Sequence, residues 1–144
     1  MTIREAGPAD IPAMHVIRLR VRENRLSDPS VVTEQDYRDF MARATNSWVS
    51  EVDGVMAGFA MVDPEKHNLW ALFVSPEHEF KGVGRALHEV MLAWYFARTD
   101  VLRLSTDPNT RAAGFYEKAG YNNLGPTANG REVIFELRHG QRKA

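Results

Sequence analysis

The run LWALFVS, residues 69–75, constrains this chain more than any other stretch. Successive side chains of a strand point to opposite faces, and here both sets are apolar, so a strand at this place must be covered on both sides. A sheet covered on both faces needs a helical layer above and below it. The chain's 144 residues, 44% of them hydrophobic, can supply that core within a single domain, 1–144. The run stops at Pro76. From Arg85 onward the apolar residues Leu87, Val90, Met91 and Trp94 recur at helical spacing. Between strand and helix lies EFKGVGRAL, Glu79 to Leu87, in which Gly82 and Gly84 are separated by one residue.

The remaining elements follow from local pattern. Thr2 to Glu5 is expected as a strand, and Gly7-Pro8 turns the chain into a helix marked by Ile11, Met14, Ile17 and Val21. The helical pattern dissolves around Ser27, Asp28 and Pro29. A second helix is expected from Thr33, a suitable N-cap, with Tyr37, Phe40 and Met41 at helical spacing. SWVSEVDGVMAGFAMVD reads as two strands joined at Asp53-Gly54, a strong hairpin signal. VLRLST is a further strand. It leads to DPNTRAAGFYEKAGY, a helix expected to be capped by Asn109 and ended by Gly120. GREVIFELRH gives a last strand, and a polar tail is expected from about residue 139.

Charge and composition exclude several functions. The formal net charge is -1, with 18 basic and 19 acidic residues, so no broad positive field favours nucleic acid. Without cysteine there is neither a disulfide framework nor a thiolate nucleophile, and the five histidines form no metal-ligand pattern. No metal is expected. Neither a signal pattern nor a membrane-spanning apolar run is present, so a soluble, cytoplasmic protein is expected.

The two glycines admit two readings. They either make a turn packed tightly on the sheet, or they strip away Cβ atoms so that an anion reaches the unpaired N–H groups at a helix N-terminus. Lys81 and Arg85 would add positive charge beside such an anion. A dinucleotide fingerprint fails because Leu87 stands where a third glycine is required, and a P-loop fails for want of Gly-Lys-Ser/Thr. Downstream, Asn109 and Tyr116 are seven residues apart and would return to one helical face, where they can line one cleft.

LWALFVSPE, the glycine loop and its helix, the following strand and NTRAAGFYEKAGY together resemble the GNAT acetyltransferase superfamily over almost the whole chain. The resemblance implies a mixed α/β fold with a mostly antiparallel central sheet and helices on both faces. It implies acetyl-coenzyme A as cosubstrate. The family's Gln/Arg-x-x-Gly-x-Gly/Ala loop falls on Glu79, Phe80, Lys81, Gly82, Val83 and Gly84, with Arg85 following; its amides would hold the pyrophosphate. Glu79 departs from the pattern, and it is expected to turn to solvent or to pair with Lys81 or Arg85. The backbone of Leu72, Phe73 and Val74 would pair with the pantetheine arm, Asn109 would touch that arm, and Tyr116 would lie near the thioester sulfur. A tyrosine, with an ordinary pKa near ~10, keeps its proton at neutral pH and can give it to a departing thiolate, which makes Tyr116 the general-acid candidate.

The amine must lose a proton before it attacks, and no carboxylate lies on the strand 69–74 or at Leu104 and Ser105. Candidate bases are therefore Glu34, Asp36, Asp63, Glu65, His67 and Asp107, none singled out by spacing. The acceptor is expected to be a small-molecule or protein amine, and a homodimer is left open. Arg18, Arg20, Arg22 and Arg25 form a basic run that helical spacing spreads over a solvated face, the alternative being contact with an acidic acceptor. Gly114 either makes room for a neighbour or lies on a tolerant surface. A different functional class, an idle acyl-coenzyme A sensor or interaction module, fits Glu79 and the absence of an evident base.

Overall fold

The computed structural model describes residues 1–24 and 29–141. Ser27 and Asp28 of the expected break, Arg25 of the basic run and the last residues of the tail lie outside them. The strands are β1 (Thr2–Glu5), β2 (Asn46–Val52), β3 (Val55–Asp63), β4 (Asn68–Val74), β5 (Val101–Thr106), β6 (Asn122–Pro126) and β7 (Val133–Arg138). The helices are α1 (Ile11–Arg20), α2 (Glu34–Met41), α3 (Val83–Tyr95) and α4 (Arg111–Lys118). The strands form one sheet in the order β1-β2-β3-β4-β5-β7-β6. Neighbours are antiparallel except β4 and β5.

Local chemistry explains the element boundaries. Asp53 and Gly54 both have positive φ, 52° and 77°, as the tight turn between β2 and β3 demands. Thr33 caps α2 reciprocally: its hydroxyl accepts from the Asp36 N–H, and Asp36 Oδ2 accepts from the Thr33 N–H at 2.6 Å. At α4 the cap is Thr110, whose side chain accepts from the Ala113 N–H at 3.2 Å. Asn109 is therefore not the N-cap. It sits one residue earlier at φ 59°, a left-handed conformation that asparagine tolerates. Strand β6 was not expected from the sequence, because NNLGP has no apolar alternation and serves as an exposed edge with a bulge between Asn123 and Gly125. The expected polar tail begins with a docked turn: the His139 ring stacks on Phe96 at 4.9 Å.

Each face of the sheet has its own core. On one, Ile11, Met14, Ile17, Tyr37 and Phe40 of α1 and α2 bury Val49, Phe59, Met61 and Ala71. On the other, Leu87, Met91 and Tyr95 of α3, with Tyr116 of α4, pack on Trp48, Ala60, Val62, Leu102, Phe135 and Leu137. This meets the demand of a strand apolar on both faces. Leu69 and Ala71 are buried, but Trp70, Leu72, Phe73 and Val74 are only half-buried, because that end of β4 borders an open cleft. Beyond its own helix, a Cβ at Gly114 would meet no atom of the described residues within 4 Å, so no packing contact among them requires that glycine.

Gly58 on β3 is a different case. A Cβ there would lie 2.8 Å from the Phe73 carbonyl oxygen, 3.1 Å from Leu87 Cδ1 and 3.2 Å from Val83 Cγ1. The absence of a side chain lets α3 and β4 close on the sheet together. Gly58→Ala is expected to lower stability by about 1–3 kcal/mol through overpacking, seen as a lower urea midpoint at unchanged slope. An unaltered midpoint would show that this close approach does not matter.

Candidate functional site

Strands β4 and β5 meet at one register position, Asn68 opposite Arg103, where the Arg103 N–H donates to the His67 carbonyl at 2.8 Å. Beyond it they diverge. The other edge of β4 stays paired: the Ser75 N–H donates to the Ala57 carbonyl at 2.8 Å, and Phe73 stands opposite Phe59 in the same register. Backbone groups alternate in direction along an antiparallel ladder, so Phe73 commits its N–H and C=O to β3 while those of Leu72 and Val74 point into the gap. The sequence expectation grouped all three. The geometry leaves Leu72 and Val74 with open backbone groups and gives Phe73 a cleft-lining side chain instead.

The gap opens into two cavities of about 570 and 540 Å³ that share Asn24, Leu72, Phe73, Ala112 and Tyr116, and so form two ends of one cleft. The end near α3 is lined by Val74, Phe80, Gly82, Val83, Gly84, Arg85 and Arg111. Gly82 is the N-cap of α3 at φ 81°, with no side-chain cap, and the first backbone bond of the helix is Ala86 N–H to the Gly82 carbonyl at 3.0 Å. The N–H groups of Val83, Gly84 and Arg85 therefore have no intrahelical partner. Helices α2 and α4 each close this position with a threonine, whereas α3 presents bare amides and the positive end of its dipole to the cleft.

Glu79 neither turns to solvent nor pairs with Lys81 or Arg85, as the sequence suggested. Its carboxylate is only 12% exposed and pairs with Arg111 Nη2 at 3.3 Å. The Arg111 guanidinium also lies 4.4 Å from the centroid of Phe80, a residue 84% exposed at φ 63°. The Arg111 N–H donates to the Glu23 carboxylate at 3.1 Å, which ties the chain after α1 to the start of α4. Thus a cation recruited from α4 offsets the negative charge beside the glycine loop. Lys81 is exposed and lies outside the cavity lining.

At the junction of the two cavities stands Tyr116, 6% exposed. Its ring is fixed by Tyr121 at 5.1 Å, Phe115 at 5.4 Å, Phe135 at 6.0 Å and His88 at 6.4 Å. His88 Nε2 in turn bonds the Tyr121 hydroxyl at 2.7 Å. Burial pushes the Tyr116 hydroxyl pKa above its ordinary value. Asn109 is exposed and lines neither cavity, so the expected shared face with Tyr116 does not form. The spacing argument fails because α4 starts at Arg111.

The far end of the cleft is lined by Arg18, Tyr37, Trp70, Asp107, Arg131 and Glu132 among others. Of the candidate bases, Asp107 alone lines a cavity that also contains Tyr116. Asp36 is occupied as the capping partner of Thr33, and Asp63 pairs with Arg43 at 2.7 Å. The His67 ring lies within 3.2 Å of the Val101 carbonyl, and Glu34 and Glu65 are exposed. Asn24, at φ 57°, holds the cleft wall: its Oδ1 accepts from the Thr106 hydroxyl at 3.0 Å and the Asp107 N–H at 2.7 Å. The basic run does not act as one face. Arg20 pairs with Glu77, and Arg18 turns into the cleft. Sequence spacing does not separate Arg18 from the rest of its basic run and does not mark Glu132, since only the fold brings α1 and the residue before β7 to the same opening.

Residues 12–121 match the sequence profile of the Acetyltransferase (GNAT) family. An uncharacterized N-acetyltransferase of Bacillus pumilus is 32% identical over 74 residues, which is 51% of this chain and 43% of that protein's length. A probable N-acetyltransferase of Mycobacterium tuberculosis is 28% identical over 148 residues, covering 87% of this chain and 82% of its own. Among solved structures, the ribosomal-protein-S18-alanine N-acetyltransferase of Escherichia coli superposes with a TM-score of 0.78 at 26% identity, over 99% of this chain and 95% of that one. A PaiA N-acetyltransferase of Thermoplasma acidophilum in complex with coenzyme A superposes with a TM-score of 0.77 at 16% identity, over 95% and 98% of the two chains. The splayed β4 and β5, the bare N-terminus of α3 and the profile match over most of the length agree, and the chain belongs to the GNAT acetyltransferase family.

Proposed function

We propose that this chain transfers the acetyl group of acetyl-coenzyme A to an amine by direct attack within a ternary complex. The observation that carries the proposal is the uncapped N-terminus of α3 beside the open backbone edge of β4. Anionic phosphates suit the first feature, and an amide-bearing arm suits the second. The N–H groups of Val83, Gly84 and Arg85 would receive the pyrophosphate, with Arg85 and Arg111 adding charge at the rim. Leu72 and Val74 would bond the pantetheine arm as an added strand. When bound, the cosubstrate supplies an activated acetyl thioester.

The protein's part in the chemistry is to align an amine with that thioester and to move two protons. Tyr116 holds a hydroxyl proton at the junction of the cavities, in a position suited to giving it to the departing thiolate as the carbon–sulfur bond breaks. Asp107, at the acceptor end, is suited to taking the amine proton directly or through water as the carbon–nitrogen bond forms. The amine and thioester thus exchange partners with no protein-bound acyl intermediate. An idle binding module is the weaker reading, because Arg111 offsets Glu79 and Asp107 lines the cleft.

Gly84→Val places side-chain atoms among the α3 amides, where a first Cβ would meet only Val74 Cγ2 at an ordinary 3.5 Å. The variant should fold yet bind acetyl-coenzyme A at least about tenfold more weakly by calorimetry; unchanged affinity in the folded variant would remove the glycine loop from the site. Tyr116→Phe keeps the ring's packing and should lower kcat by a factor on the order of 10² to 10⁴ with little change in cosubstrate affinity. Because burial raises the hydroxyl pKa, wild-type kcat should show no loss from Tyr116 deprotonation up to about pH 10, the ordinary tyrosine value. Wild-type turnover in Tyr116→Phe, measured with chemistry limiting, would transfer the proton-donor role to solvent. Asp107→Asn should reduce kcat/KM by about 10² or more, with the largest loss at low pH where the free amine is scarce; equal activity at every pH would exclude it as the base.

A further inference from the structure

Arg18 is half-buried, with one end of its guanidinium withdrawn from water. It projects from α1 so that its guanidinium carbon lies 4.3 Å from the centroid of Phe73, a cation–π contact that holds it over the cleft. Its Nη1 is buried with no hydrogen-bond partner, and Arg18 makes no ion pair among the described residues. An arginine stays charged, and a charged donor withdrawn from water without a partner is destabilising. Burial accordingly lowers its pKa from the ordinary value. Such a cation is arranged to receive an anion that arrives from outside.

The location decides which anion. Arg18 lines the cavity of Tyr37, Trp70 and Asp107 and is absent from the lining that includes the glycine loop, so the pyrophosphate is not its partner. That same cavity contains Asp107 and Glu132, both half-buried. Neither is within ion-pair distance of Arg18, although both are near enough for their negative charge to favour the guanidinium's charged form. Glu132 accepts from the Ser105 hydroxyl at 3.2 Å, and the Asp107 carboxylate has no bond among the described residues. Arg131, exposed at the rim, adds a second cation. Separated positive and negative groups within one cavity of about 570 Å³ complement a small molecule that carries both charges.

We infer that the acceptor is a small zwitterionic amino carboxylate, with Arg18 receiving its carboxylate while Asp107 and Glu132 face its amine. The inference rests on the acetyl-transfer proposal and names the acceptor class for the same site. A peptide N-terminal ammonium, which has no adjacent carboxylate, would satisfy the two acidic groups and leave Arg18 without an anion, so a free amino acid fits better than a protein N-terminus.

The test reads binding first and turnover second. Coenzyme A-saturated protein is titrated with the common L-amino acids, with the carboxamide of each, and with a short alanine-initiated peptide amide. Each carboxamide keeps the amine and the shape but loses the negative charge. At least one amino acid should bind about ten- to hundredfold more tightly than its carboxamide, the scale of a charge-assisted bond. Arg18→Met should bring that ratio near one, and Arg18→Lys should keep part of it. Should Arg18→Met fail to fold by circular dichroism, Arg18→Gln reads the same ratio. No preference for any carboxylate, a preference that survives loss of the guanidinium, or tighter binding of the peptide amide would overturn the inference. Release of coenzyme A thiol from acetyl-coenzyme A with the preferred amino acid is then measured. A carboxylate preference lost in Arg18→Met but without thiol release would leave the recognition standing and count against the transfer proposal.

Discussion

The divergence of two parallel strands is the constraint on which the rest depends. β4 and β5 touch at one register position and then part, leaving polar backbone groups of Leu72 and Val74 without a strand partner. Unpaired backbone groups at the edge of a sheet are unfavourable unless water or a ligand satisfies them. The divergence persists because each strand is secured on its far side, β4 by antiparallel pairing to β3 and β5 by antiparallel pairing to β7. The chain thus holds open a gap between two well-paired half-sheets. A ligand that brings its own amides can fill it.

Around that gap the charges are arranged in relays. Glu79 beside the glycine loop is offset by Arg111, which also covers Phe80 and whose backbone N–H donates to the Glu23 carboxylate. Partly exposed pairs of this kind contribute little to stability, so their importance lies in where they place charge. The Arg111 cluster and the bare amides of α3 make one end of the cleft suited to anions. At the other end Arg18, Asp107 and Glu132 stand apart, and Tyr116 sits between the two ends in an aromatic cage. That packing holds the Tyr116 ring rigidly where the two ends meet.

How much of this could be read from the sequence depends on the range of the interaction. The doubly apolar run 69–75, the Asp53-Gly54 turn and the glycine loop before α3 are local signals, and each stands in the structure where the pattern placed it. Asn109 and Thr110 are equally competent caps by residue type; the helix uses Thr110, and that one-residue shift removes the helical face shared with Tyr116. Strand β6 carries no apolar alternation because it is an exposed edge. Glu79 finds Arg111 across 32 positions of sequence, and Arg18 reaches the cleft only because α1 packs over β4. Such contacts have no local signature. Gly58 likewise carries no local signal, because the contacts that exclude a side chain come from Phe73 on β4 and Leu87 on α3.

The central claim is that the cosubstrate binds through main-chain amides of β4 and of the α3 N-terminus, which border this gap. Amide hydrogen exchange followed by NMR, with and without saturating acetyl-coenzyme A, tests it residue by residue. The account predicts slowed exchange at Leu72, Val74, Val83, Gly84 and Arg85, with the amide of Phe73, already bonded to β3, changing far less. Saturable binding that leaves those five amides unaltered, or protection confined to β1 and β2, would contradict it.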